Sequence, residues 1–165
     1  MPVIRRLVAA DAKELAALRT ANRGYLERWD PDWEDPERLY TSPGVRAWIT
    51  DGNPRFAILD GDAIAGMISL TGILRGSLQT CMVGYFVSEA STGRGLASTA
   101  VGEALNYAFG ELGLHRVEAG TAVKNVASQR VLERNGFTLV GTMRRHLQIR
   151  GVWVDHLLWE RLADD

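Results

Sequence analysis

Between Arg55 and Val87 apolar residues come in three short runs separated by two turn signals. Phe56–Leu59 leads into Asp60-Gly61-Asp62, and Ala63–Ile73 returns. Leu74-Arg75-Gly76 turns again, and Cys81–Val87 closes the set. Runs of this length, bounded by Gly and Asp, predict an antiparallel meander. The period then changes. Ala97, Val101, Ala104, Leu105, Ala108, Phe109 and Leu112 recur at helical spacing and predict one helix that Gly113 ends. Arg116–Ala122 predicts a further strand. Asn125 is placed to cap a short helix over Val126–Arg134, stopped by Asn135-Gly136. Thr138–Ile149 and Val152–Trp159 flank Arg150-Gly151 and predict a closing hairpin.

Upstream, Val3–Leu7 predicts a short strand. Asp11 is placed to cap a helix through about Asn22, with Leu15 and Leu18 inward. Ser42-Pro43 opens a second helix through Trp48 and Ile49. Tyr25–Tyr40 is different, because Trp29, Pro31, Trp33 and Pro36 interleave with Asp30, Asp32, Glu34 and Asp35. Its prolines interrupt any regular helix. Helices, a meander, then strand–helix–strand–helix–hairpin predict an α/β (α+β) layer fold on a mixed sheet.

Composition narrows the function classes. A chain of 165 residues supports one domain, 1–165, with a real core. A net charge of −1 supplies no basic field for nucleic acid, and Arg144-Arg145 is too short a strip to change that. No apolar run is long enough for a membrane span, and Met1–Arg6 lacks the apolar stretch of a signal peptide. A lone Cys81 in apolar surroundings reads as a buried strand cysteine in a cytoplasmic protein. No metal site is expected.

The chemistry starts at Val83–Ser98. An apolar strand, then Gly93-Arg94-Gly95, then a helix start make an anion site. The first amides of a helix lack internal partners, its dipole adds positive charge, and glycines admit a phosphate close to the backbone. The loop lacks the Gly-Lys-Ser/Thr ending of a phosphate-binding P-loop. Ser98 stands where a dinucleotide fingerprint has its third glycine, and Glu118 lies too early in its strand to hold a ribose. Alone, the turn is compatible with several nucleotides or with a plain structural role.

The wider pattern resembles the GNAT superfamily of N-acetyltransferases. The family's acyl-CoA loop matches Thr92-Gly93-Arg94-Gly95-Leu96-Ala97, with Thr92 in place of the usual Gln or Arg. Within the family the chain is most similar to the ribosomal-protein N-terminal acetyltransferase (RimJ/RimL-like) branch. Leu26–Pro31, Leu114–Val117, Asn125–Phe137 and Gly151–His156 carry that likeness. The resemblance implies a mostly antiparallel seven-stranded sheet with helices on both faces. It also implies acetyl-CoA bound where two strands splay, near Phe86 and Thr121.

It implies residue roles too. The backbone of Tyr85, Phe86 and Val87 would pair with the pantetheine amides, with the Tyr85 and Phe86 side chains in the core. The amides of Gly93 through Ser98 (Arg94, Gly95, Leu96 and Ala97 included) would hold the pyrophosphate, with Thr92 heading the loop. Asn125 would reach the cofactor as well as cap its helix, and Arg130 would either support the phosphates or stay solvated. Ser128 would face the departing thiolate, a task many members give to a Tyr. One subgroup has a base Glu where Leu147 stands, which leaves Glu89, His146 or a water as base. Trp29 would meet the acceptor amine, with Asp30, Glu34 and Asp35 beside it as further candidates and Trp33 open between pocket and core. Asp155 would either hold the ammonium or pair with an Arg as a strand residue. That acceptor would be a protein N-terminus first, a small amine or antibiotic next, with acetyl or succinyl as the acyl group and homodimerisation open. A non-catalytic CoA-sensing module is the alternative from another class.

Overall fold

The computed structural model describes residues 3–165. Its centre is a seven-stranded sheet: β1 (Ile4–Arg6), β2 (Arg55–Asp60), β3 (Ala63–Leu74), β4 (Thr80–Val87), β5 (Arg116–Ala122), β6 (Thr138–Ile149) and β7 (Val152–Leu162). The spatial order is β1-β2-β3-β4-β5-β7-β6. Every pairing is antiparallel except β4 with β5.

Among the described residues five α-helices cover the sheet: α1 (Ala12–Ala21), α2 (Arg23–Leu26), α3 (Ser42–Ile49), α4 (Leu96–Asn106) and α5 (Val126–Arg134). Successive strand residues point to opposite faces, which sorts the core into two layers. Ile68, Leu70, Val83 and Val117 pack against Val101, Ala104 and Leu105 of α4 and Leu132 of α5. Ala57, Ile64 and Met67 pack on the other face against Leu15 of α1 and Val45 and Ile49 of α3. Tyr85 joins the first layer and its neighbour Phe86 the second.

Several boundaries differ from the sequence reading for local reasons. Asp11 does not cap α1. Its carboxylate accepts from Val8 N–H at 2.9 Å and pairs with Arg5, so it closes the 3-10 turn before the helix. The helix after the glycine turn runs regularly only to Asn106 and widens into a π turn over Tyr107–Glu111. Strand β7 runs on to Leu162, and Arg116 pairs with it. The Pro-rich segment holds two short turns, α2 and a 3-10 turn at Pro36–Tyr40, with irregular chain between. At the tip of the last hairpin Arg150 and Gly151 both have positive φ, +51° and +77°. This is the two-residue geometry that suits strand twist.

Candidate active site

The parallel pair is zipped at one end only. Thr80, Cys81 and Met82 of β4 are in register with Arg116, Val117 and Glu118 of β5. Beyond them the strands part. Val83–Val87 stays paired with Leu70–Gly66 of β3, and Ala119–Ala122 with Trp159–His156 of β7. Each strand therefore turns one unpaired backbone edge into the opening. Polar backbone left without partners is costly, so the two edges are available to a chain-like ligand with amides of its own.

The glycine loop stands at the mouth of this opening. Gly93 and Gly95 have φ of +74° and +80°, and a Cβ on either would meet no atom within 4 Å. Here glycine serves conformation and open approach rather than tight packing. The first bond of α4 runs from Thr99 N–H to Gly95 O at 3.0 Å. The amides of Leu96, Ala97 and Ser98 precede the helical ladder, and no side chain caps the helix. Thr92 donates its hydroxyl to Glu89 O at 2.7 Å, which shapes the loop from within. The Ser98 hydroxyl and carbonyl accept from Asn135 Nδ2 at 3.3 and 3.0 Å and tie α4 to the end of α5. An acyl-CoA therefore fits in backbone terms: an open strand edge for its amides and a helix start for its diphosphate. Arg94 is not aimed there. It is exposed and ion-paired with Asp60, with its second nitrogen 2.9 Å from Oδ1.

On the α5 side of the opening, Asn125 Oδ1 accepts from Ser128 N–H at 3.2 Å, as a helix cap does. Ser128 Oγ lies 2.8 Å from the Tyr85 phenol oxygen. The Tyr85 side chain is thus no simple core residue. Burial pushes its phenol up to about 12. Arg130 is exposed on the same helix.

The opposite face presents a different surface. A cleft of about 440 Å3 is lined by Arg23, Glu27, Asp30, Asp32, Trp33, Tyr40 and Arg150, with Pro31 and Pro36. Behind it lies Arg19, only 2% exposed, with its guanidinium 2.5 Å from Asp30 Oδ2. The same guanidinium lies 5.1, 5.4 and 5.7 Å from the ring centres of Phe86, Tyr40 and Trp48. Burial raises the Asp30 carboxyl above the ordinary range, against the pull of Arg19. Asp32 secures the segment to the hairpin tip. Its carboxylate accepts from Arg150 and Gly151 N–H, both at 2.7 Å, and its own N–H donates to Gln148 O at 2.7 Å.

The Acetyltransferase (GNAT) domain family matches residues 3–138. The chain belongs to the GNAT family. It is an acetyl-CoA-dependent N-acyltransferase. Probable N-acetyltransferase YjcK of Bacillus subtilis is 39% identical over 98% of this chain and 94% of its own. The [Ribosomal protein uS5]-alanine N-acetyltransferase of Escherichia coli is 30% identical over 94% of this chain and 84% of its own. Among solved structures, Mycobacterium smegmatis RimJ in complex with CoA-disulfide superposes with a TM-score of 0.91 at 27% identity. That match covers 98% of this chain and 81% of RimJ.

In this GNAT protein the residues singled out from sequence do not all converge. Tyr85, Phe86, Val87, the Thr92–Ser98 loop, Asn125 and Ser128 surround the strand opening. Trp29 does not line the acidic cleft, whereas Trp33 does. Asp155 is exposed and accepts from Arg145 N–H at 2.7 Å. That bond holds a bulge in β6, where the register jumps between Met143 and Leu147 and Arg145 adopts φ +47°. Bulges re-aim side chains beside active sites, and this one carries His146. Its ring stands 5.6 Å edge-on from His156, which is buried and in register with Ala122, the last residue of β5. His146 is exposed; the limited desolvation it does meet and the neighbouring His156 hold its imidazole below its ordinary value. Glu89 is exposed on a 3-10 turn. Arg19, Asp32 and the Tyr85 hydroxyl are absent from the sequence-derived site, whereas Asp30 is among its acceptor candidates and does line the cleft. Cys81 is buried in the core, with its thiol pushed up to about 11, and stays out of the chemistry. No helix among the described residues is long and apolar enough to cross a membrane.

Proposed function

We infer that this protein transfers an acetyl group to the α-amine of a peptide or protein N-terminus. The observation that carries the reading is the cleft on the acceptor face, where Trp33 and Tyr40 stand with Glu27 and Asp30, paired with Arg23 and Arg19, and where Arg23 and Arg150 share the lining. It is coupled to the strand opening through Arg19, which touches both Asp30 and the ring of Phe86. A cationic, extended acceptor suits carboxylates and aromatic faces on an irregular segment. The uS5-alanine acetyltransferase relative supports a protein acceptor.

Acetyl-CoA supplies a thioester carbonyl as electrophile and a thiol as leaving group. The unpaired edge of Val83–Val87 binds by backbone pairing, as an added strand would, and offers an N–H that polarises the carbonyl. Leu96, Ala97 and Ser98 offer their amides to the diphosphate, and Arg94 swings from Asp60 to join them. Asn125 orients the first turn of α5 so that Ser128 faces the departing sulfur. His146, neutral at neutral pH, takes the proton from the amine, directly or through water. An α-amine of pKa about 8 asks little of that base, whereas a lysine amine near 10.4 asks far more.

Calorimetry should detect acetyl-CoA binding at micromolar concentration. A screen of peptides and small amines should release CoA with free N-terminal peptides, and mass spectrometry should locate the acetyl group on the α-amine. Turnover confined to polyamines, aminoglycosides or lysine side chains overturns the acceptor. Binding with no turnover favours a sensing module. Arg94 gives a separate prediction. An exposed ion pair is worth about 0–1 kcal/mol, so Asp60→Asn, which frees Arg94, should tighten acetyl-CoA by about two- to fivefold. Unchanged or weaker binding rejects the swing.

A further inference from the structure

We propose that Tyr85 is a positioning residue for acyl transfer, its phenol aiming the Ser128 hydroxyl at the departing sulfur. The proposal rests on the acetyl-transfer reading above and adds a residue to it. Tyr85 lies on the unzipped part of β4, and Ser128 in the first turn of α5, across the opening. Their side-chain oxygens are 2.8 Å apart, and the phenol also lies 3.3 Å from the Ser128 carbonyl.

Which hydroxyl donates decides what Ser128 can do. A phenol, of ordinary pKa about 10, is far the stronger acid of the two. Its single proton has two acceptors, Ser128 Oγ at 2.8 Å and the Ser128 carbonyl at 3.3 Å, and we assign it to the nearer one, so that the Ser128 oxygen accepts. The Ser128 proton is then turned away from the protein, because Tyr85 is the only hydrogen-bond partner of Ser128 Oγ among the described residues. Serines on helices commonly bond back to their own backbone, and the phenol holds this one out of that arrangement. Burial keeps the phenol protonated throughout the working pH range.

The step balances without another reactant. The amine nitrogen bonds to the acyl carbon, the carbon–sulfur bond breaks, and its electron pair leaves on sulfur. Ser128 donates to that sulfur while Tyr85 donates to Ser128. Ser128 and Tyr85 keep their own protons and supply hydrogen bonds only; the proton the amine loses to the base passes through solvent to the thiolate, and the sulfur finishes as a thiol.

The alternative use of the phenol proton is to clip α5 to β4 through the Ser128 carbonyl, with Ser128 then donating to the phenol, and the test separates the two. Turnover is measured for wild type, Tyr85→Phe, Ser128→Ala and the double variant. Affinities for CoA and for desulfo-CoA, which lacks the sulfur, are measured by calorimetry at about pH 9.5, where a thiol is ionised. Tyr85→Phe keeps the ring, and its melting temperature serves as a check on folding. The expected result is a fall in kcat of about tenfold for Tyr85→Phe, and no further fall when it is added to Ser128→Ala. CoA affinity should drop severalfold in Tyr85→Phe while desulfo-CoA affinity holds. A Tyr85→Phe effect that persists in the Ser128→Ala background, or an equal loss for desulfo-CoA, leaves only the clip and overturns the proposal. A wild-type chain that binds CoA but transfers acetyl to no amine overturns the acetyl-transfer reading and this inference together, a result distinct from either of those.

Discussion

Gly66→Ala is expected to disable the protein by moving the strand that the cofactor lies on. Gly66 of β3 is in register with Val87 of β4. A Cβ built there would stand 2.1 Å from Phe86 O and 2.8 Å from Val87 Cα. Both are backbone atoms, so no side chain can rotate away, and β4 itself must shift. Forcing atoms into a packed interior costs typically 1–3 kcal/mol, and backbone collisions sit at or above the top of that range. We expect a loss of about 3 kcal/mol, or roughly 10 °C in Tm for a domain of this size. Acetyl-CoA affinity should fall as well, because Phe86 and Val87 carry the unpaired edge. Gly84→Ala on β4 is the control. Its Cβ would meet only Ser69 Oγ, at 3.9 Å, and stability should change by no more than about 0.5 kcal/mol. A Gly66→Ala protein that melts with wild type and binds acetyl-CoA equally well refutes the account of this strand.

The contrast between these glycines marks what could be read from the sequence. Asp60-Gly61-Asp62 announces a turn because it separates two apolar runs, and Gly93-Arg94-Gly95 because the hydrophobic period changes across it. The meander, the glycine loop and the Asn125 cap were legible for that reason. Gly66 sits inside an unbroken apolar run, and nothing local tells that the Phe86 carbonyl will press on it. The opening between β4 and β5 is likewise a matter of register. Val83–Val87 is apolar whether or not a neighbour pairs with it, so only the family resemblance pointed to a splayed pair. Arg19 is the plainest miss. An arginine in an amphipathic helix reads as a solvated position, yet this one is buried among three rings with a single carboxylate partner. Its burial follows from the Pro-rich segment folding back over α1, which no periodicity encodes. Tyr85 and Ser128, 43 positions apart, meet for the same kind of reason. Trp29 and Trp33 are equivalent in composition, and the path of the chain alone decides which of them lines the cleft.

His146→Ala should produce the other large loss, and its pH dependence should identify the base. Thr138–Ile149 reads as continuous strand, but the bulge held by Asp155 and Arg145 breaks the register and sets His146 against His156 of β7, which is in register with the last residue of β5. A base must be neutral to accept a proton. Limited desolvation and His156 both disfavour the imidazolium, so the His146 pKa lies below its ordinary value. The active form therefore predominates at neutral pH, and activity is lost only as pH falls through a value below about 6.5, the ordinary histidine pKa. The acceptor amine adds an independent rise toward pH 8. Removing a general base typically costs 10²–10⁴, and an α-amine needs the least help, so we expect a fall in kcat/KM of about 10². The acid limb assigned to His146 should disappear from what activity remains, leaving only the rise set by the amine. His156→Ala should move that limb upward toward the ordinary histidine value, because a neighbour that disfavours the charge is gone. A His146→Ala enzyme within twofold of wild type, with the same acid limb, would assign proton removal to solvent and leave the bulge a structural part of the hairpin.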